Sequence, residues 1–201
     1  MLRKSYTALL TVVFAFTSLS IASTWDLDKA HSSIEFKIKH LMITNVRGSF
    51  DSFTGHVDYD ENDVTKSKVE VTIDVASINT GNQQRDDHLR SADFFDVEKY
   101  PKMTFVSKKI HKADGGLKVT GDLTLHGVTK EVILNVEGPT APVKGPMGNM
   151  RMGATATTKI DRRDFGLAWS KALETGGLVV DNKVMITLEV ELIKSLDPHE
   201  K

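Results

Sequence analysis

The amino-acid sequence predicts an all-β protein, an eight-stranded antiparallel barrel with one or two short helical segments at its mouth. Apolar and polar residues alternate with a period of two through most of the chain after Trp25, which is typical of strands with one buried face and one face exposed to solvent. Few helical segments exist to cover a flat sheet, so its apolar face must be buried by closure or by a second sheet. Long strands, and strand-like residues at both ends of the alternating region, favour the barrel over the two-sheet sandwich.

The first 22 residues have the composition of a cleaved secretory signal. Two basic residues precede an apolar stretch over 8–16, and Ser20 and Ala22 supply the small side chains that a signal peptidase requires. The apolar stretch is shorter than the ~20 residues that span a bilayer, which disfavours a retained membrane anchor. We therefore assign residues 1–22 to a signal peptide and 23–201 to a single domain.

The alternating strands follow one another along this domain. Each has apolar residues at every second position: Ile34, Phe36 and Ile38; Val69, Val71, Ile73 and Val75; Leu117, Val119, Gly121, Leu123 and Leu125; Val132, Leu134 and Val136; Val184, Ile186, Leu188, Val190 and Leu192. Met103 and Phe105 begin a less regular strand. Between Val46 and Tyr59 the parity changes, so we expect a bulge or tight bend near Asp51–Ser52.

Two stretches break the alternation. Residues 82–96 contain helix-forming and charged residues, and Thr80 or Asn82 is positioned to cap a short helix there. Residues 161–175 form the second stretch, and both are predicted to lie across a barrel mouth. The segment 138–148 is rich in proline and glycine and is predicted to be a loop.

A strand with small inward residues suggests a groove inside the barrel. Met150, Met152, Ala154 and Ala156 share one parity, and glycines 48 and 121 fall on the apolar parity of their own strands. Small inward side chains leave volume that an aliphatic chain can occupy, because protein interiors otherwise pack to crystal-like density. The alternative is that large neighbouring side chains fill the gap.

Composition narrows the function classes. A formal net charge of -1 gives no electrostatic basis for binding nucleic acid. The absence of cysteine excludes disulfides, zinc–cysteine sites, iron–sulfur clusters and thiol nucleophiles. Nucleophile elbows, phosphate-binding loops and zinc-protease helices are missing as motifs, so we predict a non-enzymatic protein without a cofactor.

The order and spacing of several short motifs resemble those of the YceI family of bacterial periplasmic proteins. The resemblance runs from Trp25 to Leu192. Its elements are Trp25, Asp28, His31-Ser32, Phe36, His40, Gly48, Phe50, Thr80, Arg85-Asp86, His88-Leu89, Phe94-Phe95, Tyr100-Pro101, Phe105, the run Gly121 to Thr129, Arg163-Asp164-Phe165-Gly166 and Trp169. It implies a periplasmic, lipocalin-like barrel whose interior binds a polyisoprenoid or a similar long-chain amphiphile.

Strand parity and this resemblance together assign the candidate ligand-binding residues. The predicted cavity lining is Phe36, Ile38, His40, Phe50, Phe94, Phe105, Leu123, Met150, Met152, Ala154, Phe165 and Trp169. The predicted head-group residues, taken from the two mouth segments, are Asn79, Arg85, Asp86, His88, Arg163 and Asp164. Arginine binds phosphate or carboxylate through bidentate hydrogen bonds. These six residues equally fit a structural role in caps and ion pairs that hold the mouth.

Histidines support two rival hypotheses. Convergence of His31, His40 and His88 would create a metal or haem site, although no pair has the spacing typical of metal ligands. A pairing of His40 with Asp86 or Asp164 would be the dyad to test for a lipid-modifying enzyme. The sequence also leaves open a homodimer formed through an exposed strand or the mouth.

Overall fold

The computed structural model describes residues 22–170 and 178–195, and its strands form one antiparallel sheet. The strands are β1 (Ser23–Leu27), β2 (Ser33–His40), β3 (Thr44–Phe50), β4 (Phe53–Tyr59), β5 (Lys68–Asp74), β6 (Ile78–Asn79), β7 (Lys102–Ala113), β8 (Gly116–Leu125), β9 (Val128–Glu137), β10 (Val143–Lys144), β11 (Met150–Asp161) and β12 (Val180–Lys194).

Pairing of β11 with β12 closes the sheet into a barrel. β11 pairs along one edge of β12, and β1 and β2 share the other edge of β12. β1 and β2 together form one strand position of the barrel, because both pair with the same edge of β12. β3 and β4 together form the next position, because β3 pairs with β2 and β4 with β1. With β5, β7, β8, β9, β11 and β12 this makes eight positions, which confirms the predicted eight-stranded antiparallel barrel.

The parity change after Val46 corresponds to a sharp bend. The chain leaves the ladder for two residues, where the Asp51 amide donates to the Ser77 carbonyl and the Ser52 amide to the Ser77 hydroxyl at 3.0 Å. Phe50 and Phe53 are consequently both buried on the core side. The predicted bend at these positions is confirmed.

Both predicted mouth segments contain helical turns. Helix α1 (Gln83–Arg90) begins at Asn82, whose side chain accepts from the Arg85 amide as an N-cap. In the second segment a single 3-10 turn spans Arg162–Phe165, and the remainder over 171–177 lies outside the described residues. No helix in the described ranges is long and apolar enough to cross a membrane.

Antiparallel order places the connections at two ends of the barrel. The end that carries α1, called here the α1 end, also holds the 41–43 turn, the 126–127 turn and the segment after β11. The opposite end holds the connections over 60–67, 114–115 and 138–149.

Two inward glycines do not leave open volume. A Cβ on Gly48 would lie 2.5 Å from the Phe36 ring, and a Cβ on Gly121 would lie 2.5 Å from the Phe105 ring. Each phenyl ring therefore lies over its glycine, so the alternative in which large side chains fill the space holds at these two positions. Open volume is supplied instead by Ala154 and Ala156.

We predict that Gly121→Ala destabilises the barrel by about 1–3 kcal/mol, because the new methyl would overlap a ring and also approach the Val106 carbonyl. That carbonyl oxygen lies 2.5 Å from the ideal Cβ position and belongs to the rigid backbone. Gly153→Ala is the matched control, since its Cβ meets nothing closer than 3.5 Å. Chemical unfolding should separate the two variants, and equal free energies of unfolding would contradict the packing described here.

Candidate functional site

A long internal cavity of about 430 Å³ occupies the barrel. It extends from Ser67 and Pro139 at the opposite end to Arg85 and Trp169 at the α1 end. Along β11 every second residue from Met152 to Ile160 lines it, a length of roughly 26 Å at the usual rise of a strand. The cavity is therefore long and narrow, and it lies within the volume range of small-molecule pockets.

The cavity wall is formed mainly by aliphatic and aromatic side chains from all eight strand positions. Ten of the twelve residues predicted to line it do so: Phe36, Ile38, His40, Phe50, Phe94, Phe105, Leu123, Met152, Ala154 and Trp169. Lining residues that the sequence did not single out include Leu89 and Phe95, which face the interior from the α1 segment. Their contact with the cavity depends on how that segment folds across the mouth.

Met150 and Phe165 do not line the cavity, although the sequence predicted that both would. Met150 has inward parity but lies at the opposite end, where it packs against the buried cluster of Trp25, Met152 and Leu192. Phe165 is 1% exposed and belongs to the packed core, where its backbone carbonyl accepts from His126 Nδ1 at 3.2 Å. Both side chains support the wall and do not form its surface.

Aromatic side chains cover the cavity at the α1 end. His88, Phe94 and Trp169 contact one another with ring centroids 5.0 to 5.5 Å apart. Phe95 packs edge-on against Phe50, at 6.1 Å, and so extends the cover into the barrel. The α1 segment is thus held over the cavity by ring contacts, the kind of apolar cover that a bound hydrocarbon would require.

Two of the six predicted head-group residues border the cavity. Arg85 donates from Nε to the Thr80 hydroxyl at 2.7 Å and from Nη2 to the Thr80 carbonyl at 2.9 Å. His88 contacts Asp93 at 3.1 Å through Nε2. The Arg85 guanidinium is therefore oriented by a neutral residue, and no carboxylate among the described residues forms an ion pair with it.

The other four predicted head-group residues do not border the cavity, and three of them form hydrogen bonds within the fold. The Asn79 amide donates to Asp51 at 2.9 Å, and the buried Asp86 carboxylate accepts from the Thr80 amide at 3.0 Å. Arg163 donates from Nη2 to Asp161 at 2.7 Å, while Asp164 is exposed and does not border the cavity. The hydrogen bonds from Arg163, followed by that from Lys183, hold the pKa of Asp161 well below its usual range.

Sequence reasoning missed Arg162, which borders the cavity at the α1 end and is 3% exposed. Its guanidinium donates to the backbone carbonyls of Leu167 and Asp181, at 2.5 and 2.9 Å, and no carboxylate forms a salt bridge with it in the described ranges. Burial lowers the pKa of Arg162. Its inward position continues the parity of Ile160, so extending the alternation beyond the strand would have identified it.

The rival histidine hypotheses can be compared with the geometry. Within the described ranges, the one group with metal-ligand spacing is Asp28, His31 and Glu191, on the barrel wall and away from His40 and His88. The Arg151 guanidinium already bonds both carboxylates of this group, so a cation is present there. No hydrogen bond in the described part of the chain joins His40 to Asp86 or Asp164.

Comparison with known proteins identifies relatives of the same fold. The model of the YceI-like domain matches residues 25–192. A UPF0312 protein of Staphylococcus aureus strain MSSA476 is 42% identical over 170 residues, which cover 84% of this chain and 96% of the relative. The crystal structure of the YCEI protein of Campylobacter jejuni is 40% identical, covers 85% of this chain and 97% of that chain, and superposes with a TM-score of 0.68.

A more distant structure shares the fold. It is described as a polyisoprenoid-binding domain from Saccharophagus degradans implicated in plant cell wall breakdown, and it is 20% identical. It covers 87% of this chain and 99% of that chain, with a TM-score of 0.61. At this identity the likeness shows the fold alone.

We predict that Asp28 links barrel stability to acid pH. Hydrogen bonds with His31 and then with Arg151 lower its pKa from 3.8 to about 2. A lowered carboxyl pKa stabilises the fold above the unfolded pKa, and this stabilisation, about 2 kcal/mol here, is lost as the pH falls through the folded pKa. Asp28→Asn should therefore be less stable than the parent near neutral pH, with a difference that shrinks as the pH approaches 2.

Urea unfolding across this pH range would test the prediction. Asp114→Asn is the control, because Asp114 is exposed in the β7–β8 turn and takes part in no ion pair of the described residues. A stability difference for Asp28→Asn that stays constant down to about pH 2 would contradict the linkage.

Proposed function

This chain belongs to the YceI-like family, and we propose that it is an exported carrier that binds a long-chain isoprenoid or similar amphiphilic lipid inside its barrel. The observation that carries the proposal is the cavity itself, which is apolar, narrow and as long as the barrel. A chain-like ligand fits that shape better than a compact one does.

Burial of hydrocarbon would supply the binding free energy. Each methylene group transferred from water into the cavity contributes about 0.8 kcal/mol. Ten such groups would contribute about 8 kcal/mol, which corresponds to micromolar affinity before the cost of ordering the chain. No hydrogen bond to the chain is needed, which agrees with a wall whose polar groups are concentrated near its ends.

The cations at the α1 end favour an anionic or strongly polar head group there. Arg162 is buried beside the cavity with carbonyl partners, and Arg85 reaches the cavity from α1, where among the described residues its guanidinium bonds Thr80. A positive charge that is at least partly removed from water and forms no salt bridge attracts an anion more strongly than an exposed one does. We therefore propose that the ligand's head group lies at the α1 end and its tail points toward Pro139.

The proposed location is the periplasm. The proposal is supported by the signal-like composition of residues 1–22 and by the resemblance to exported proteins. A lipid carrier outside the cytoplasm would shield hydrocarbon from water between two membranes. The homodimer considered from the sequence stays a prediction.

Binding without catalysis is the proposed activity. His40 lines the cavity among Ile38 and other apolar residues, and no carboxylate in the described ranges orients it as a base. General-base catalysis by histidine normally relies on such an orienting group. We accordingly propose that the barrel holds its ligand without modifying it.

We predict that Ala156→Phe abolishes binding of long-chain lipids, because Ala156 is buried on the cavity wall and a phenyl ring there would block the channel. Thr157→Phe is the control, since Thr157 is the next residue of β11 and faces outward. Fluorescent fatty-acid or prenol displacement would report affinity, with circular dichroism to verify folding. Equal binding by both variants would contradict a ligand in the cavity.

We predict that Arg85→Gln weakens binding of prenyl phosphates and long-chain carboxylates by about tenfold or more, the range expected for loss of a charged hydrogen bond. Binding of neutral prenyl alcohols of the same chain length should change little, and these ligands serve as the internal control. Calorimetry on both ligand types would measure the contrast. A uniform loss for charged and neutral ligands would place the head group elsewhere.

A further inference from the structure

The turn between β2 and β3 exposes apolar side chains at the α1 end. In this turn, over residues 41–43, Met42 is 47% exposed and Ile43 is 81% exposed. Exposure of two large apolar side chains to water at the tip of a hairpin is energetically unfavourable. Such exposed apolar sites commonly mark contact with a partner or a membrane.

The backbone of this turn is unusual for its residues. Leu41 and Met42 have φ angles of 51° and 62°, in the left-handed region. A turn with two successive residues in this left-handed region strongly favours glycine, asparagine and aspartate there, because larger side chains crowd the backbone. Leucine and methionine are therefore poor choices for the fold, which indicates that their apolar side chains serve another purpose.

A row of cations lies on the outer barrel surface beside the turn. Strand register aligns Arg47 with Lys37, Lys37 with Met185, and Met185 with Lys159. Neighbouring strands are about 4.8 Å apart, so this row spans about 15 Å. Lys39 lies one outward position nearer to the turn.

These cations are free to attract an external anion. Arg47, Lys37, Lys39 and Lys159 are all exposed, and none forms a salt bridge within the described ranges. Lys37 and Arg47 are like charges directly opposite each other, an arrangement that destabilises a sheet unless an anion lies near. The nearest outward acidic side chain on β2 is Glu35, which is farther from the turn.

Acidic residues define the other side of the same end. Residues 83–99 carry five carboxylates, at 86, 87, 93, 96 and 98, against the three cations Arg85, Arg90 and Lys99. Asp87 contacts Arg90 and Asp93 contacts His88, so the segment carries a net negative charge of two. An anionic surface would be repelled there and attracted to the β2–β3 side. The charge distribution therefore favours an orientation in which the β2–β3 turn faces the anionic surface and α1 faces away from it.

We propose that the β2–β3 turn docks the barrel on an anionic phospholipid bilayer, with Met42 and Ile43 inserted among the lipids and the adjacent cations against the head groups. The inference rests on the proposed lipid-carrier function and specifies where lipid would be exchanged. Apolar insertion together with a basic patch is the combination that gives reversible membrane binding.

The turn is connected directly to the cavity. His40, the last residue of β2, lines the cavity, and the Leu41 amide donates to the Val179 carbonyl at 2.8 Å. Val179 also lines the cavity. A bilayer that held the turn would therefore lie beside the α1 end of the channel, where a lipid can pass between membrane and barrel.

The test is flotation of the full protein with vesicles of phosphatidylcholine alone or of phosphatidylcholine mixed with phosphatidylglycerol. The parent should float with the mixed vesicles only. Met42→Asn with Ile43→Asn should weaken this binding by about tenfold or more through lost apolar burial. Asparagine tolerates the left-handed backbone of position 42, and Ile43 is largely exposed, so thermal stability should be kept or raised.

A second variant tests the charges. Lys37→Gln with Arg47→Gln should weaken mixed-vesicle binding by about fivefold for each charge removed, and added salt should weaken the parent in the same way.

The matched control is Val143→Asn with Met147→Asn, which removes two apolar side chains that are 62% and 83% exposed at the opposite end. It should bind mixed vesicles as the parent does. Equal vesicle binding by the parent, the turn variant and this control would overturn the proposal, as would a loss confined to the control.

Cargo affinity in solution separates this inference from the proposed function. The turn variant should bind a soluble fluorescent prenol with the parent's affinity, because neither Met42 nor Ile43 lines the cavity. Vesicle binding without any prenol binding would count against the carrier function and leave docking intact. Prenol binding without vesicle binding by the parent would overturn docking and leave the carrier function intact.

Discussion

Pairing between β11 and β12 is the constraint on which the rest of the structure depends. Eleven consecutive residue pairs, from Arg151–Ile193 to Asp161–Lys183, join the last long strands and convert an open sheet into a ring. At one end of this seam the Arg151 guanidinium bonds Asp28 and Glu191, which ties β11 to β12 and to the residue after β1. Closure removes the sheet edges and leaves a fixed interior that the inward side chains must fill.

The inward side chains fill that interior only in part. Phe36 and Phe105 cover their facing glycines, and Trp25 packs one end with Met152 and Leu192. Along β11, however, the small side chains of Ala154 and Ala156 face the interior and line the cavity. The unfilled volume is thus a channel with apolar walls, and an empty channel of this kind destabilises the native state unless a ligand occupies it.

Much of this architecture is encoded locally and could be predicted. The alternation of Ile34, Phe36 and Ile38 defines an inward face without tertiary information, and Asn82 identifies the start of α1 through its capping chemistry. The alternation along a strand predicts which face of the sheet a side chain lies on, but it does not predict how far along the barrel axis that side chain lies. For that reason Met150 was assigned to the lining although it lies against Trp25 at the opposite end.

The polar residues of the mouth were harder to predict, because residue type and spacing do not decide which local partner each side chain takes or which way it points. Asp86 is engaged by Thr80, and Arg163 by Asp161 two residues before it, whereas the neighbouring Arg162 turns inward to the carbonyls of 167 and 181. Adjacent arginines therefore differ completely in environment, and only the return of the chain into β12 decides which is buried.

The central claim is that the channel holds a long-chain amphiphile, and native mass spectrometry of the full protein purified from the cells that produce it tests it most directly. We expect a stoichiometric adduct that solvent extraction releases as an isoprenoid or similar lipid, on a chain that begins near Ser23. A bare chain that neither releases lipid nor gains stability from any added long-chain lipid would contradict the account, since a ligand that binds only the native state must stabilise it.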